Sequence, residues 1–288
     1  MVLDYHLHLW AHGRRSLDAT LEQVAAYCDK AAEAGVTEIA ITEHFYRSRQ
    51  ADAALRGWWD DDEPRLADAM RRFWDDEHGA DLDQYVEVVL AAKDAGLPVV
   101  LGLEVDFYRD RMHTVAEVLA GYPFDVLLGS VHWVGAWGLD NLSEPAFAEE
   151  WDARTIDAVW DAYTTDLEEL ADSGVCDVLA HPDVCKLTGR RPAVPEEFHD
   201  RMAEAAARSG MAAEVSSAGL HKPVAEAYPA PDLLRRFVDR GVPLTTASDA
   251  HRVEKVANNG DALRKLLADA GAESLQAYRR RTGREVAI

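Results

Sequence analysis

Seven of the chain's 11 histidines fall at or just after the end of an apolar run: His6, His8, His12, His44, His132, His181 and His251. Two carboxylates, Glu104 and Asp249, sit at the same kind of position. A single histidine there reads as a hydrogen-bonded structural residue. Seven imidazoles and two acids converging without a cation would leave unpaired buried groups and crowded like charge. In a strand, His6 and His8 point to one face, so H-x-H can chelate one ion. The carboxylates add the negative charge that divalent ions need and can bridge two of them. Nitrogen and oxygen donors without thiolate point to Zn, Mn or Fe. H-x-H alone is weak evidence, but here TEH, LEVD, SVH, AHPD and SDAH recur on five later runs. The chemistry expected of such a set is hydrolysis by a metal-activated water.

These residues need a frame that brings distant segments together. The chain repeats one phrase: an amphipathic helix, a glycine (Gly35, Gly96, Gly121, Gly174, Gly210 or Gly241), then an apolar run. Glycine is the expected left-handed residue just past a helix. With the opening DYHLHL this makes seven candidate strands. Helical stripes appear at Leu17, Leu21, Val24, Cys28 and Ala31, and at Ile156, Val159, Trp160, Tyr163, Leu167 and Leu170. Continuous apolar strands alternating with helices predict an α/β protein with a parallel sheet. A TIM-like (β/α)7 barrel in one domain over residues 1–288 fits the length better than an open doubly wound sheet, with the metal site at the C-terminal ends of the strands. Residues 47–80 and 133–154 break the rhythm after strand ends and read as functional loop insertions.

The motifs DYHLHL, TEH, GLEVD, GSVHW, AHPD and SDAH resemble those of the PHP (polymerase and histidinol phosphatase) superfamily over nearly the whole chain. The resemblance implies a distorted seven-stranded barrel with two or three divalent ions. It implies a first metal on His6, His8, Glu104 and Asp249, and a second on Glu104, His132 and His181. A third would rest on His12, His44 and His251, although His12 lies closer to H-x-H than the family's third histidine usually does. Glu43 and Asp106 would orient ligands from behind. GSVHWVGAWGLDN and SAGLHKPVAEAYPAPDLL look like the histidinol-phosphate phosphatase branch, which implies L-histidinol phosphate as substrate. That branch tends to carry arginine where this chain has Lys186, and a further basic residue where it has His221. Lys186, His221 and Lys222 are the expected substrate contacts, with Trp133 and Trp137 as candidate walls. The leaving-group proton could come from Asp249, Asp106 or His251. His78, His113 and His199 read as surface residues.

Other readings stay in play: a PHP hydrolase of another small phosphoester or nucleotide, and a metal-stabilised module without catalysis. Amidohydrolase-type deamination fits less well, because the candidate bridge is Glu104 rather than a modified lysine. No G-x-S-x-G elbow, P-loop or G-x-G-x-x-G is present. Asp and Glu number 52 against 30 Lys and Arg, a balance of −22, which argues against nucleic-acid partners. No apolar run reaches the length of a membrane span, and no export signal is seen at the N-terminus. Three cysteines form no disulfide framework and suit the cytoplasm. The sequence leaves the oligomeric state open.

Overall fold

A computed structural model of the chain describes residues 2–13 and 18–288. Among these, seven strands form one sheet, β1 (Leu3–Asp4), β2 (Glu38–Ile41), β3 (Val99–Asp106), β4 (Val126–Ser130), β7 (Val178–Leu179), β8 (Ala212–Ser216) and β9 (Leu244–Ala247), paired in that order. Every pairing is parallel. Two short hairpins stand apart from it, β5 (Trp133–Val134) with β6 (Trp137–Gly138), and β10 (Ser274–Arg279) with β11 (Thr282–Ala287). The sheet curls until its first and last strands meet. Tyr5 N donates to Thr246 O and His8 N to Ala250 O, each at 2.9 Å, and Leu7 bridges to Ala250 in parallel. The Asp4 carboxylate crosses the same seam, accepting from Ser248 N at 2.7 Å and Ala257 N at 2.8 Å. The expected TIM-like (β/α)7 barrel is therefore present and nearly closed. Its strands are buried along their whole length, which is why they read as continuous apolar runs rather than alternations.

The helices that carry the chain from strand to strand are α1 (Leu21–Glu33), α4 (Leu82–Asp94), α5 (Met112–Leu119), α7 (Ile156–Asp172), α8 (Glu196–Ser209), α9 (Pro231–Asp239) and α10 (Gly260–Ala270). In α1 the buried stripe is Val24, Tyr27, Cys28 and Ala31, while Leu21 is exposed and Leu17 lies outside the described residues. A capping box of Thr20 and Gln23 starts α1. The α7 stripe buries Val159, Trp160, Tyr163, Leu167 and Leu170 as the spacing predicts. Five of the six helix-ending glycines have positive φ; Gly121 does not.

The two rhythm-breaking segments are ordered rather than looped. Residues 47–80 contain α2 (Asp52–Leu55) and α3 (Pro64–Glu77), and residues 133–154 contain the β5–β6 hairpin and α6 (Pro145–Ala153). Arg65 ties α3 to α6 through Glu150 and the Ala146 carbonyl, and Arg72 pairs with Glu144 at 2.9 Å. The two segments thus form one wall on the ligand-bearing side of the barrel. The opposite end is covered by the β10–β11 hairpin. Its Arg279 and Arg284 hold Glu38 at 2.6 and 2.8 Å, Arg281 pairs with Asp177, and Tyr278 N donates to Tyr5 Oη at 3.1 Å.

Candidate metal centre

Six of the seven barrel strands deliver candidate ligands at or just beyond their C-terminal ends. His6 and His8 follow β1, His44 follows β2, and Glu104 and Asp106 end β3. His132, His181, and the pair Asp249 and His251 follow β4, β7 and β9. These side chains meet. His6 Nε2 lies 3.1 Å from Glu104 Oε2 and 3.9 Å from Asp249 Oδ1. His8 Nε2 is 3.5 Å from each of the same two oxygens. His44 Nδ1 is 2.7 Å from Glu104 Oε2, and His181 Nε2 is 3.2 Å from Glu104 Oε1. The His8 ring stacks on His44 at 4.3 Å and on His251 at 4.1 Å between centroids. Glu104 is the hub, reached from both sides of the barrel.

Four groups of donor atoms gather within 4.8 Å among the described residues: His8, His44 and His251; His6, Glu104 and His181; His6, His8 and Asp249; and His44, Asp106 and His132. Several donors are buried without a hydrogen-bond partner, including His6 Nε2, His8 Nε2, His44 Nε2, His251 Nε2 and Glu104 Oε2. Leaving so many polar atoms unsatisfied is costly unless a cation takes their lone pairs. The donor chemistry therefore fits divalent ions. Electrostatics agree. Burial pushes the Glu104 carboxyl up, but His6, His44 and His132 together hold it well below the usual range. Asp249 behaves likewise beside His6 and His8. Burial keeps His44 and His251 well below the ordinary imidazole value, hence neutral.

Supporting groups aim these donors. His132 Nδ1 sits 2.6 Å from Asp106 Oδ1, which turns Nε2 toward Glu104 at 3.6 Å. Against the cost of burial, Asp106 leads the neighbours that push the His132 imidazole up to about 10. Glu43 Oε1 accepts from Leu9 N and Trp10 N, and Glu43 Oε2 lies 3.7 Å from His8 Nδ1. His181 and Asp249 both hold positive φ, 26° and 52°, a strained backbone that persists only where surroundings fix it.

Above the cage opens a cavity of about 560 Å³, walled by Tyr46, Phe73, Trp133, Arg72, Asp140, Glu144 and Lys222, with His12, His44, Glu104, His132, Asp249 and His251 on its floor and sides.

A model of the PHP domain matches residues 6–218. The chain belongs to the PHP family. A probable histidinol-phosphatase from Deinococcus radiodurans is 33% identical over 249 residues, covering 86% of this chain and 88% of that protein. Among solved structures, the Lactococcus lactis histidinol phosphate phosphatase, complexed with zinc, L-histidinol and phosphate, superposes with a TM-score of 0.69 at 17% identity, over 98% of both chains. The putative histidinol phosphatase of Listeria monocytogenes gives 0.71 at 18% identity, over 90% of this chain and 99% of that one. At such identities the likeness of these structures is one of fold.

Not every expected residue reaches this PHP site. Lys186 is fully buried, its Nζ held by Glu226 and the Ala227 carbonyl at 2.7 Å and by Asp183 at 3.0 Å. A lysine charge taken from water must be neutralised, and these partners do so away from the cavity. His221 Nε2 meets the Asn258 and Asn259 side-chain amides at 2.9 Å, and it too lies off the cavity wall. Lys222 and Trp133 do line it. Trp137 packs on Trp151 and donates to Phe147 O at 2.9 Å, so it is core rather than wall. His199 is buried on Asp232 at 3.0 Å, against the surface position expected for it; His113 is exposed and His78 half-buried against Trp74. The main omission is Glu214 on β8, whose Oε2 holds His6 Nδ1 at 2.8 Å and whose Oε1 accepts from His181 N at 3.2 Å. The lone acid inside MAAEVSS was its signal. Asp140, 4.0 Å from His132 Nε2, also went unread.

Proposed function

We propose that this PHP protein is a divalent-metal-dependent phosphomonoesterase that hydrolyses L-histidinol phosphate to L-histidinol and phosphate, as a step of histidine biosynthesis in the cytoplasm. The observation that carries the reading is the buried cage of unpartnered imidazoles and carboxylates beneath an aromatic and acidic cavity. The substrate is suggested by the Deinococcus relative. Two or three ions, of Zn, Mn or Fe, would be held by His6, His8, His44, Glu104, His132, His181, Asp249 and His251. Bound ions supply Lewis acidity and a water that loses its proton near neutral pH.

The chain's own residues do the rest. Glu214 and Asp106 orient His6 and His132 so that their Nε2 atoms face the cage. Lys222 and Arg72 present positive charge to a phosphate in the cavity, as a point charge and a planar fork respectively. Tyr46, Phe73 and Trp133 narrow the space available to bulk water. Asp140 offers a carboxylate to a cationic leaving group such as an amino alcohol. Of the three candidates for the leaving-group proton, Asp249 and His251 border the cavity, whereas Asp106 is buried behind His132.

The test is turnover of a phosphoester panel by purified protein before and after chelation. L-histidinol phosphate should be preferred, and activity should vanish with the metal and return on its re-addition. Preference for nucleotides, or bound metal with no phosphoester hydrolysed, overturns the assignment.

A further inference from the structure

One imidazole near the cage is turned the other way. His12 Nδ1 lies 2.9 Å from Arg47 Nη2. A guanidinium has N–H groups only and cannot accept, so toward Arg47 Nδ1 takes the acceptor role, with Glu77 Oε2 further off at 3.7 Å from the same nitrogen. A neutral imidazole has a single nitrogen with a free lone pair, so Nε2 carries the proton and has nothing to give a cation. Arg47 is not free to turn away. It is fully buried, its Nη2 pairs with Glu77 Oε2 at 2.9 Å, and its Nη1 donates to Trp10 O at 3.2 Å.

Two further observations agree. The His12 side chain is 54% exposed, against 0% for His6 and His8 and 5% for His44. His12 also belongs to none of the four donor groups, and the one holding His44 and His251 is completed by His8.

We propose that His12 is not a metal ligand in this chain, and that its Nε2–H donates a hydrogen bond to a phosphoryl oxygen of the substrate. His12 lines the cavity, its ring centroid 4.6 Å from that of His251 and 5.6 Å from that of His44. Its partner there must be an oxygen lone pair, which a phosphomonoester or inorganic phosphate supplies. The metal half of the proposal stands on geometry alone; the donor half rests on the phosphomonoesterase reading.

The experiment compares wild type with His12→Gln, His44→Ala and His251→Ala as metal-loaded proteins. After exhaustive dialysis, elemental analysis should give His12→Gln the same metal-to-protein ratio as wild type, while the other two variants lose metal. Inhibition by inorganic phosphate should weaken about tenfold in His12→Gln, the effect of one lost hydrogen bond to a charged group. Nitrogen-15 NMR of the His12 ring should show a protonated Nε2 before and after zinc titration. Metal loss in His12→Gln, or deprotonation of Nε2 on zinc addition, overturns the metal half. Unchanged phosphate inhibition overturns the donor half. If wild type hydrolyses no phosphoester, the functional reading fails while the metal-content and NMR results still decide the role of His12.

Discussion

Glu214 shows how one carboxylate can act on two candidate ligands at once. It fixes the ring of His6 and the backbone of His181, which sits at a strained φ of 26°. Glu214→Gln keeps the shape but loses the charge that raises the basicity of His6 Nε2. Metal affinity should fall about 10- to 100-fold with little change in unfolding free energy; titration calorimetry showing wild-type affinity would reduce Glu214 to a packing residue. Away from the site, Asp166 is buried beside Arg109, and burial outweighs the arginine, pushing its carboxyl up to about 6. The folded state therefore holds this proton more tightly than the unfolded chain, whose carboxyl titrates near ~4. The resulting stabilisation is full below pH ~4 and is lost as pH rises through about 6. Asp166→Asn should escape that loss, so its stability relative to wild type should rise between these limits, by up to roughly 3 kcal/mol less what Arg109 loses. Urea unfolding at several pH values checks this; a difference independent of pH refutes it. The candidate ligands were legible because H-x-H, TEH, AHPD and SDAH each pair a donor with a strand end. Glu214 was not, because its meaning comes from β8 lying between β7 and β9, two strands that end in candidate ligands, and adjacency is invisible in a linear chain. Lys186 lies away from the cavity for the converse reason: its partners Asp183 and Glu226 are brought to it only by folding.

At the scale of elements, glycines and apolar runs marked all seven barrel strands, since fully buried parallel strands have a composition that helices and loops lack. The inserted helices were harder. In α3, the buried residues Leu66, Met70 and Trp74 recur every four positions, but arginines and aspartates dilute the pattern. The β10–β11 hairpin went unread because β11 is almost wholly exposed and has no apolar face to signal it. A sharper constraint lies in β3. A Cβ on Gly102 would stand 2.6 Å from Thr42 Cγ2 and 3.0 Å from Ile41 O, so β2 and β3 approach closely two residues before Glu104. Gly102→Ala should destabilise the protein by about 1–3 kcal/mol. It should also weaken metal binding by displacing the hub carboxylate; denaturation and metal titration together would detect both, and a neutral result in both would mean that the strands can part without cost.

For the molecule as a whole, the balance of −22 sets a field that opposes an approaching phosphate until it nears the centre. Raising ionic strength from ~10 to ~150 mM shortens the screening length from ~30 to ~8 Å. kcat/KM for an anionic substrate should then rise several-fold; a fall would indicate that Lys222, Arg72 and the ions dominate even at long range. The seam between β1 and β9 carries a different consequence. Its backbone bonds are few, and His6 and His8 stand on one side with Asp249 and His251 on the other. An ion gripped across that junction acts as a removable cross-link between segments 243 residues apart, as Leu3 and Thr246 are, and closing so long a loop carries a large entropic penalty for the unlinked chain. Stripping the ions should therefore speed deuterium uptake at the Tyr5 and His8 amides before it reaches the amides between β3 and β4, so that the barrel unzips along the line its cofactor once stitched.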